Sequence, residues 1–157
     1  MEFVRPTRNE NVRTLAGVCL ILVALALPGI SIKSGGGWGP SGVEVGWWCA
    51  RQANLMLLLL PRTFLHPRPG SGVIFLFGLT GLINPLLMFS LIPNRYWQFL
   101  CASVIVACLA ATWLAIWVSS LTPLPGHFLW VAGVLLIVSR EWFGEPWASW
   151  RAGRNVG

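Results

Sequence analysis

The chain has 157 residues, of which 55% are hydrophobic and 10% are charged, and its mean hydropathy is +0.69. A soluble domain carries about a quarter charged residues to cover its surface, whereas this chain has 11 Lys and Arg and 5 acidic residues, all of them Glu. These proportions exclude a soluble globular domain, a disordered chain and a disulfide-framed miniprotein, and they predict one membrane domain over residues 1–157.

The formal net charge of +6 does not indicate nucleic-acid binding. The basic residues flank apolar runs, which is where membrane proteins place the side chains that anchor them. We therefore expect membrane lipids and other integral membrane subunits as partners, and no nucleic acid.

Residues 1–14 form a basic N-terminal segment, and residues 15–32 are the first predicted span, with Pro28 and Gly29 near its end. A signal peptide is the alternative, but the run is long for a signal core and no clear cleavage site follows it. The glycine-rich stretch 31–45 predicts a loop.

Residues 46–60 are predicted to be an interfacial or re-entrant helix. The stretch is shorter than the roughly 20 residues that a span requires, and Arg51 at mid-membrane would cost at least about 2.5 kcal/mol. Residues 73–92, 97–121 and 126–143 are predicted spans, and residues 144–157 form a basic, aromatic tail. The fold class is therefore an all-α integral membrane protein with four transmembrane helices and one interfacial helix. A five-span chain, in which 46–60 crosses, is the alternative.

The distribution of Arg and Lys predicts the orientation. With four spans, seven of these residues lie on the side of the two termini and four lie on the other. The positive-inside rule then places both termini in the cytoplasm, and we expect a bacterial inner membrane.

No chemical motif stands out. No acidic residue lies in a predicted span, and the sequence lacks nucleophile-elbow, zinc-protease, phosphate-loop and dinucleotide motifs. We expect no enzymatic activity, no metal site and no cofactor other than bound lipid; a pigment has no support. His127 is the candidate ligand for a metal or tetrapyrrole, although no second ligand stands at helical spacing and a polar boundary residue is the more usual role.

Small residues recur every fourth position in the third predicted span, which predicts a groove for packing against another helix of the chain or of a partner. They are Ser103, Ala107, Ala111, Ala115 and Ser119. Tryptophans at the predicted span ends suit the membrane interface, and the anchors are Trp38, Trp47, Trp48, Trp97 and Trp142. Asn84 either bonds across the bundle or caps carbonyls freed by Pro85, and we favour the second.

Three short motifs, Gly46-Trp47-Trp48-Cys49, Asn84-Pro85-Leu86-Leu87 and Gly126-His127-Phe128-Leu129-Trp130, resemble a pattern in small uncharacterised bacterial inner-membrane proteins. The pattern runs Gly-Trp-x-Cys, Asn-Pro-Leu and Gly-x-x-Leu-Trp. The resemblance covers about residues 15–140. It implies four spans and no catalytic residue.

These observations predict a non-catalytic accessory or structural subunit of a larger membrane complex, docked through helix packing. The alternative is a small oligomeric membrane channel or transporter.

Overall fold

The computed structural model describes residues 8–32, 42–92 and 95–143, without the side chains of Arg8, Arg95 and residues 140–143. Five helices and three short strands follow in the order α1 (Arg8–Ala26), β1 (Pro28–Ile32), β2 (Gly42–Val45), α2 (Gly46–Leu65), α3 (Ser71–Phe89), α4 (Arg95–Val118), β3 (Thr122–Pro123) and α5 (Pro125–Phe143).

The first predicted span, 15–32, is wrong at both ends. Helix α1 begins at Arg8 and ends at Ala26, and Pro28–Ile32 is a strand. Pro28 explains the early end, because a proline disfavours the helical conformation of the residue before it and donates no backbone hydrogen bond. The predicted loop 31–45 also contains strand residues at each end, although residues 33–41 lie outside the part that the structure describes.

The strands form a small antiparallel sheet in the order β2-β1-β3. Ile30 of β1 lies opposite Glu44 on one side and opposite Pro123 on the other. Backbone bonds extend this connection to the helices, because Gly46 N–H donates to the Leu27 carbonyl at 2.9 Å and Leu124 N–H donates to the Gly29 carbonyl at 2.9 Å. The sheet thereby ties the end of α1 to the starts of α2 and α5.

Helix α2 is longer than predicted. It continues through Pro61 to Leu65 instead of ending at residue 60, and so takes in part of the segment expected to connect it to the next span. It packs antiparallel to α3, since Ala53 lies beside Gly81 while Leu60 lies beside Gly78. The other predicted spans, 73–92, 97–121 and 126–143, correspond to α3, α4 and α5 with ends displaced by up to three residues.

In the part of the chain that the structure describes, three helices are long and apolar enough to cross a membrane, over Asn9–Ala26, Ser71–Phe89 and Tyr96–Val118. Helix α5 contains a shorter apolar stretch, Pro125–Ser139. The mostly helical fold with three candidate spans confirms the coarse prediction of a helical chain that could be embedded in a membrane. The count of four spans stays a prediction.

The core lies where α3, α4 and α5 meet. Ile83, Ile105 and Val134 contribute one fully buried side chain from each helix. Helix α1 packs along α5, α2 along α3, and α3 along α4. In lipid, where helices gain little from the hydrophobic effect, such contacts depend on close packing.

Glycines make the closest of these contacts. A Cβ atom built on Gly17 of α1 would lie 2.7 Å from the carbonyl oxygen of Gly133 in α5, and one on Gly133 would lie 2.7 Å from the carbonyl oxygen of Gly17. The backbones of α1 and α5 can therefore touch only because neither residue has a side chain.

Candidate ligand cavity

A cavity of about 460 Å³ lies between the helices. Its walls come from the end of α1, strands β1 and β2, the first half of α2, the middle of α3, the end of α4 and the start of α5. Most of the lining is apolar, with Ile30, Met56, Phe77 and Ile116 among its residues. The cavity is within the size range of small-molecule sites, which are apolar with a few polar groups.

One pair of polar groups in the wall joins α3 to α4. The hydroxyls of Thr80 and Thr112 lie 3.0 Å apart, and either can donate. The Thr112 hydroxyl also lies 2.8 Å from the carbonyl of Cys108, one turn earlier in α4. These bonds keep two polar side chains at the cavity without leaving either unsatisfied.

A second pair joins α2 to α3. The Asn84 side-chain amide donates to the Asn54 side-chain oxygen at 3.1 Å. The interpretation we favoured for Asn84, capping of carbonyls freed by Pro85, is therefore wrong, because the amide is used between helices. Asn84 and the neighbouring Gln52 both line the cavity.

His127 lies in the first turn of α5, at the cavity wall. Gly126 brings the chain close to the sheet, since a Cβ there would lie 2.6 Å from the carbonyl oxygen of Pro28. The imidazole is held among aromatic rings, with its centroid 5.4 Å from Trp113 and 5.8 Å from Trp130. Its Nε2 atom is buried and has no hydrogen-bond partner.

His127 is the residue proposed from the sequence as a ligand for a metal or a tetrapyrrole. Within residues 8–32, 42–92 and 95–143, no group of three or more His, Cys, Asp or Glu could hold a metal ion. The ligand role of His127 stays a prediction.

Cys49 and Glu44 lie where β2 meets α2, and both line the cavity. The Cys49 thiol is 4.0 Å from the backbone carbonyl of Glu44. Burial, together with the negative charge of Glu44, raises the pKa of the Cys49 thiol to about 11. At neutral pH the thiol is protonated, and it behaves as a packing group.

The small-residue stripe of α4 lies only partly inside the bundle. Ala115 is fully buried, Ala107 is exposed, and Ser103, Ala111 and Ser119 are half-buried. The face of α4 that packs against the chain's own helices is a neighbouring one, which includes Ala102, Ile105 and Leu109. The stripe therefore lies at the edge of the intramolecular contact: it is outside that contact at Ala107 and inside it at Ala115.

The predicted interface anchors are on the surface where the structure describes them. Trp47 and Trp97 are each 52% exposed, and the half-buried Trp48 has the Arg51 guanidinium 4.9 Å from its ring centroid. Trp38 and the side chain of Trp142 lie outside the described residues.

Sequence reasoning missed Gln52, Thr80 and Thr112 as cavity residues. The available signal was a polar side chain inside an apolar helix, which in a membrane usually faces the bundle interior. Two such threonines on separate helices, each with its own backbone acceptor, give no indication from the sequence that they meet.

No family model matches the chain, and no curated protein or solved structure matches it significantly. The class of protein is therefore defined by the fold and the cavity, and not by similarity to a known family. The described part of the chain is mostly helical, with three helices that could span a membrane and a largely apolar cavity lined by all five helices.

Proposed function

We propose that the protein is a non-catalytic membrane subunit that holds a small, largely apolar molecule in its interhelical cavity. The observation that carries the proposal is the cavity itself, which measures about 460 Å³ and is lined by parts of all five helices. Its lining is suited to a ligand with an apolar body and one polar end.

The arrangement of polar groups supports binding more than catalysis. The Thr80–Thr112 and Asn84–Asn54 pairs each form a hydrogen bond between two helices, so they link the walls of the cavity. Acid–base catalysis needs a titratable group positioned against a substrate with a partner to receive or return the proton. At this cavity Glu44 and His127 belong to separate elements, and no hydrogen bond joins them among the described contacts.

A substitution that fills the cavity tests this proposal. Ala50 lines the cavity on α2, and Ala50→Phe would place a ring inside it. Ala110→Phe is the matched control, because Ala110 is exposed on α4 and the same change there adds a ring outside the cavity.

The readout is mass spectrometry of small molecules extracted from the three purified proteins. We expect one compound in near-equimolar amount in the wild type and Ala110→Phe, and a loss of it in Ala50→Phe at unchanged helical content. Equal extracts from all three proteins would contradict the proposal.

A specific surface favours the accessory-subunit role. Ala107 is exposed, and half-buried Ser103 and Ala111 lie one turn to either side of it on α4. An exposed small residue lets a second backbone approach closely, which is how helices associate in lipid. We therefore propose that the outer part of the stripe, at Ser103, Ala107 and Ala111, docks onto a helix of another subunit.

Purification in a mild detergent separates this role from the alternative. Co-purification with other polypeptides in fixed stoichiometry supports an accessory subunit. A homo-oligomeric ring with a water-filled lumen would support a channel or transporter instead.

We further propose a membrane arrangement with four spans, α2 as an interfacial or re-entrant helix, and both termini in the cytoplasm of a bacterial cell. The support is the seven-to-four division of Arg and Lys between the two sides. The resemblance of the three short motifs to small bacterial inner-membrane proteins agrees with this placement.

A further inference from the structure

We infer that His127 Nε2 is the hydrogen-bonding anchor of the cavity, and that the ligand is a ring-containing molecule with one hydroxyl or carbonyl group. The inference rests on the proposed binding function and specifies its chemistry. It is carried by the imidazole of His127, a residue that lines the cavity and whose Nε2 atom is buried and has no hydrogen-bond partner.

A buried polar atom without a partner is costly. Leaving a donor or acceptor unsatisfied forfeits its hydration, and buried polar groups in proteins are therefore nearly always paired. Among the described residues only Ser119 Oγ shares this condition with His127 Nε2. Of the two residues, only His127 lines the cavity.

The imidazole of His127 lies among aromatic rings. Trp113 meets it edge-on at an interplanar angle of 80°, and Trp130 lies 5.8 Å away at 35°. The ring face of Trp113 is at best a weak acceptor for an N–H group. A hydroxyl on a bound molecule would bond to Nε2 in either neutral tautomer of the imidazole, because a hydroxyl both donates and accepts. A carbonyl oxygen would bond only to the tautomer that carries the proton on Nε2.

The remaining lining favours a flat, apolar body. Trp48, Phe77 and Trp130 contribute aromatic surface to the cavity, and aromatic side chains pack well against the faces and edges of other rings. The cavity lining also contains the polar side chains of Glu44 and Gln52. His127 Nε2 differs from them because it is a buried polar atom without a hydrogen-bond partner, so a polar group of the ligand gains most by bonding to it.

A matched pair of probes isolates this one hydrogen bond. The compounds 1-naphthol and 1-methylnaphthalene share a ring system and differ by a hydroxyl in place of a methyl group. Binding is measured by equilibrium dialysis against the full chain in lipid nanodiscs, with empty nanodiscs as the control for partitioning into lipid.

We expect the wild-type protein to bind 1-naphthol about fivefold more tightly than 1-methylnaphthalene, the ratio that a typical neutral hydrogen bond supplies. His127→Phe keeps an aromatic ring among Trp113, Phe128 and Trp130 but removes the nitrogen, so the ratio should fall to about one. His127→Gln restores an amide near the position of Nε2 and should recover part of the preference.

The outcomes distinguish the inference from the proposed function. One outcome would overturn the inference alone: both probes bind the wild type, Ala50→Phe abolishes their binding, and His127→Phe leaves the affinity ratio unchanged. The cavity would then bind ligands without His127 as its anchor. If neither probe binds the wild type above empty nanodiscs, or if Ala50→Phe binds both as well as the wild type does, both the binding function and the inference are overturned.

Discussion

The contact between α1 and α5 offers the sharpest test of the packing. Gly133→Ala adds one methyl group, which in the present structure would lie 2.7 Å from the Gly17 carbonyl oxygen and 2.8 Å from Cγ1 of Ile21. A carbon atom does not approach that closely without repulsion. The backbone oxygen cannot move aside without moving α1, so the two helices must separate.

The expected cost follows from two opposing effects. In a helix with free space around the site, Gly→Ala stabilises by about 1 kcal/mol because alanine loses less backbone entropy. Overpacking a close contact costs about 1–3 kcal/mol. We therefore expect Gly133→Ala to lower the free energy of unfolding by up to about 2 kcal/mol, the difference between these two effects.

Gly72→Ala is the matched control, because Gly72 also lies in a helix but a Cβ built there would meet nothing within 4 Å. This variant should be as stable as the wild type or slightly more stable. The double variant Gly17→Ala/Gly133→Ala should cost less than the sum of its parts, since helices separated by one methyl group already have space for the other.

The assay is unfolding by denaturing detergent, followed by far-ultraviolet circular dichroism. If Gly133→Ala were as stable as Gly72→Ala, the close approach of α1 and α5 would be refuted, and with it the side of the cavity that these helices hold in place.

Three further predictions concern α4, the cavity rim and the orientation. Ala111→Leu should weaken the bundle or its docking to a partner by about 1–3 kcal/mol, measured by thermal unfolding and co-purification. Trp117→Leu should have little effect because Trp117 is 79% exposed. If the two variants had the same thermal stability and co-purification, the stripe would have no role in packing. The thiol of Cys49 has a pKa raised to about 11, so it is almost wholly protonated at neutral pH. Its alkylation rate, measured by peptide mass spectrometry, should increase with pH up to about 11 and should be higher at a given pH in Glu44→Gln. A rate that levels off near pH 8.5, the ordinary pKa of a thiol, would contradict this environment. A cysteine engineered near Arg62 should react with an impermeant reagent from outside the cell, and reaction only after permeabilisation would favour five spans.

The helical fold could be predicted because its signal is local. The uncharged runs around α3 and α4 are long enough to span a membrane, and the helices lie within a few residues of the predictions. The sheet could not be foreseen in the same way. Its pairing of Ile30 with Pro123 joins residues far apart in sequence, and a two-residue strand carries no periodicity.

The ends of helices depended on prolines whose effects differ with context. Pro28 follows the end of α1, whereas α2 continues through Pro61 and α3 through Pro85. A proline costs a helix one backbone hydrogen bond and creates a steric conflict with the preceding turn. Whether a helix continues through a proline depends on its packing against neighbouring helices, as α2 and α3 pack on each other. The local sequence does not determine that packing.

Some cavity residues could be singled out from the sequence, but their proximity in the fold could not be predicted. His127 and Asn84 stood out as polar groups in apolar surroundings, and both line the cavity. The sequence pointed to the regular stripe on α4 as the close-packing surface, yet the backbones of α1 and α5 approach each other closely at Gly17 and Gly133, one glycine from each of two helices far apart in sequence. Periodicity reveals a surface on one helix, while a reciprocal contact depends on the fold.

The most direct measurement of the central claim is an experimental density map of the purified full chain in lipid nanodiscs, without added ligand. The proposed function predicts non-protein density in the cavity between α2, α3 and α5, with one end within hydrogen-bonding distance of His127 Nε2. A map in which side chains of the protein itself fill that space, with α2 closed against α5, would contradict it.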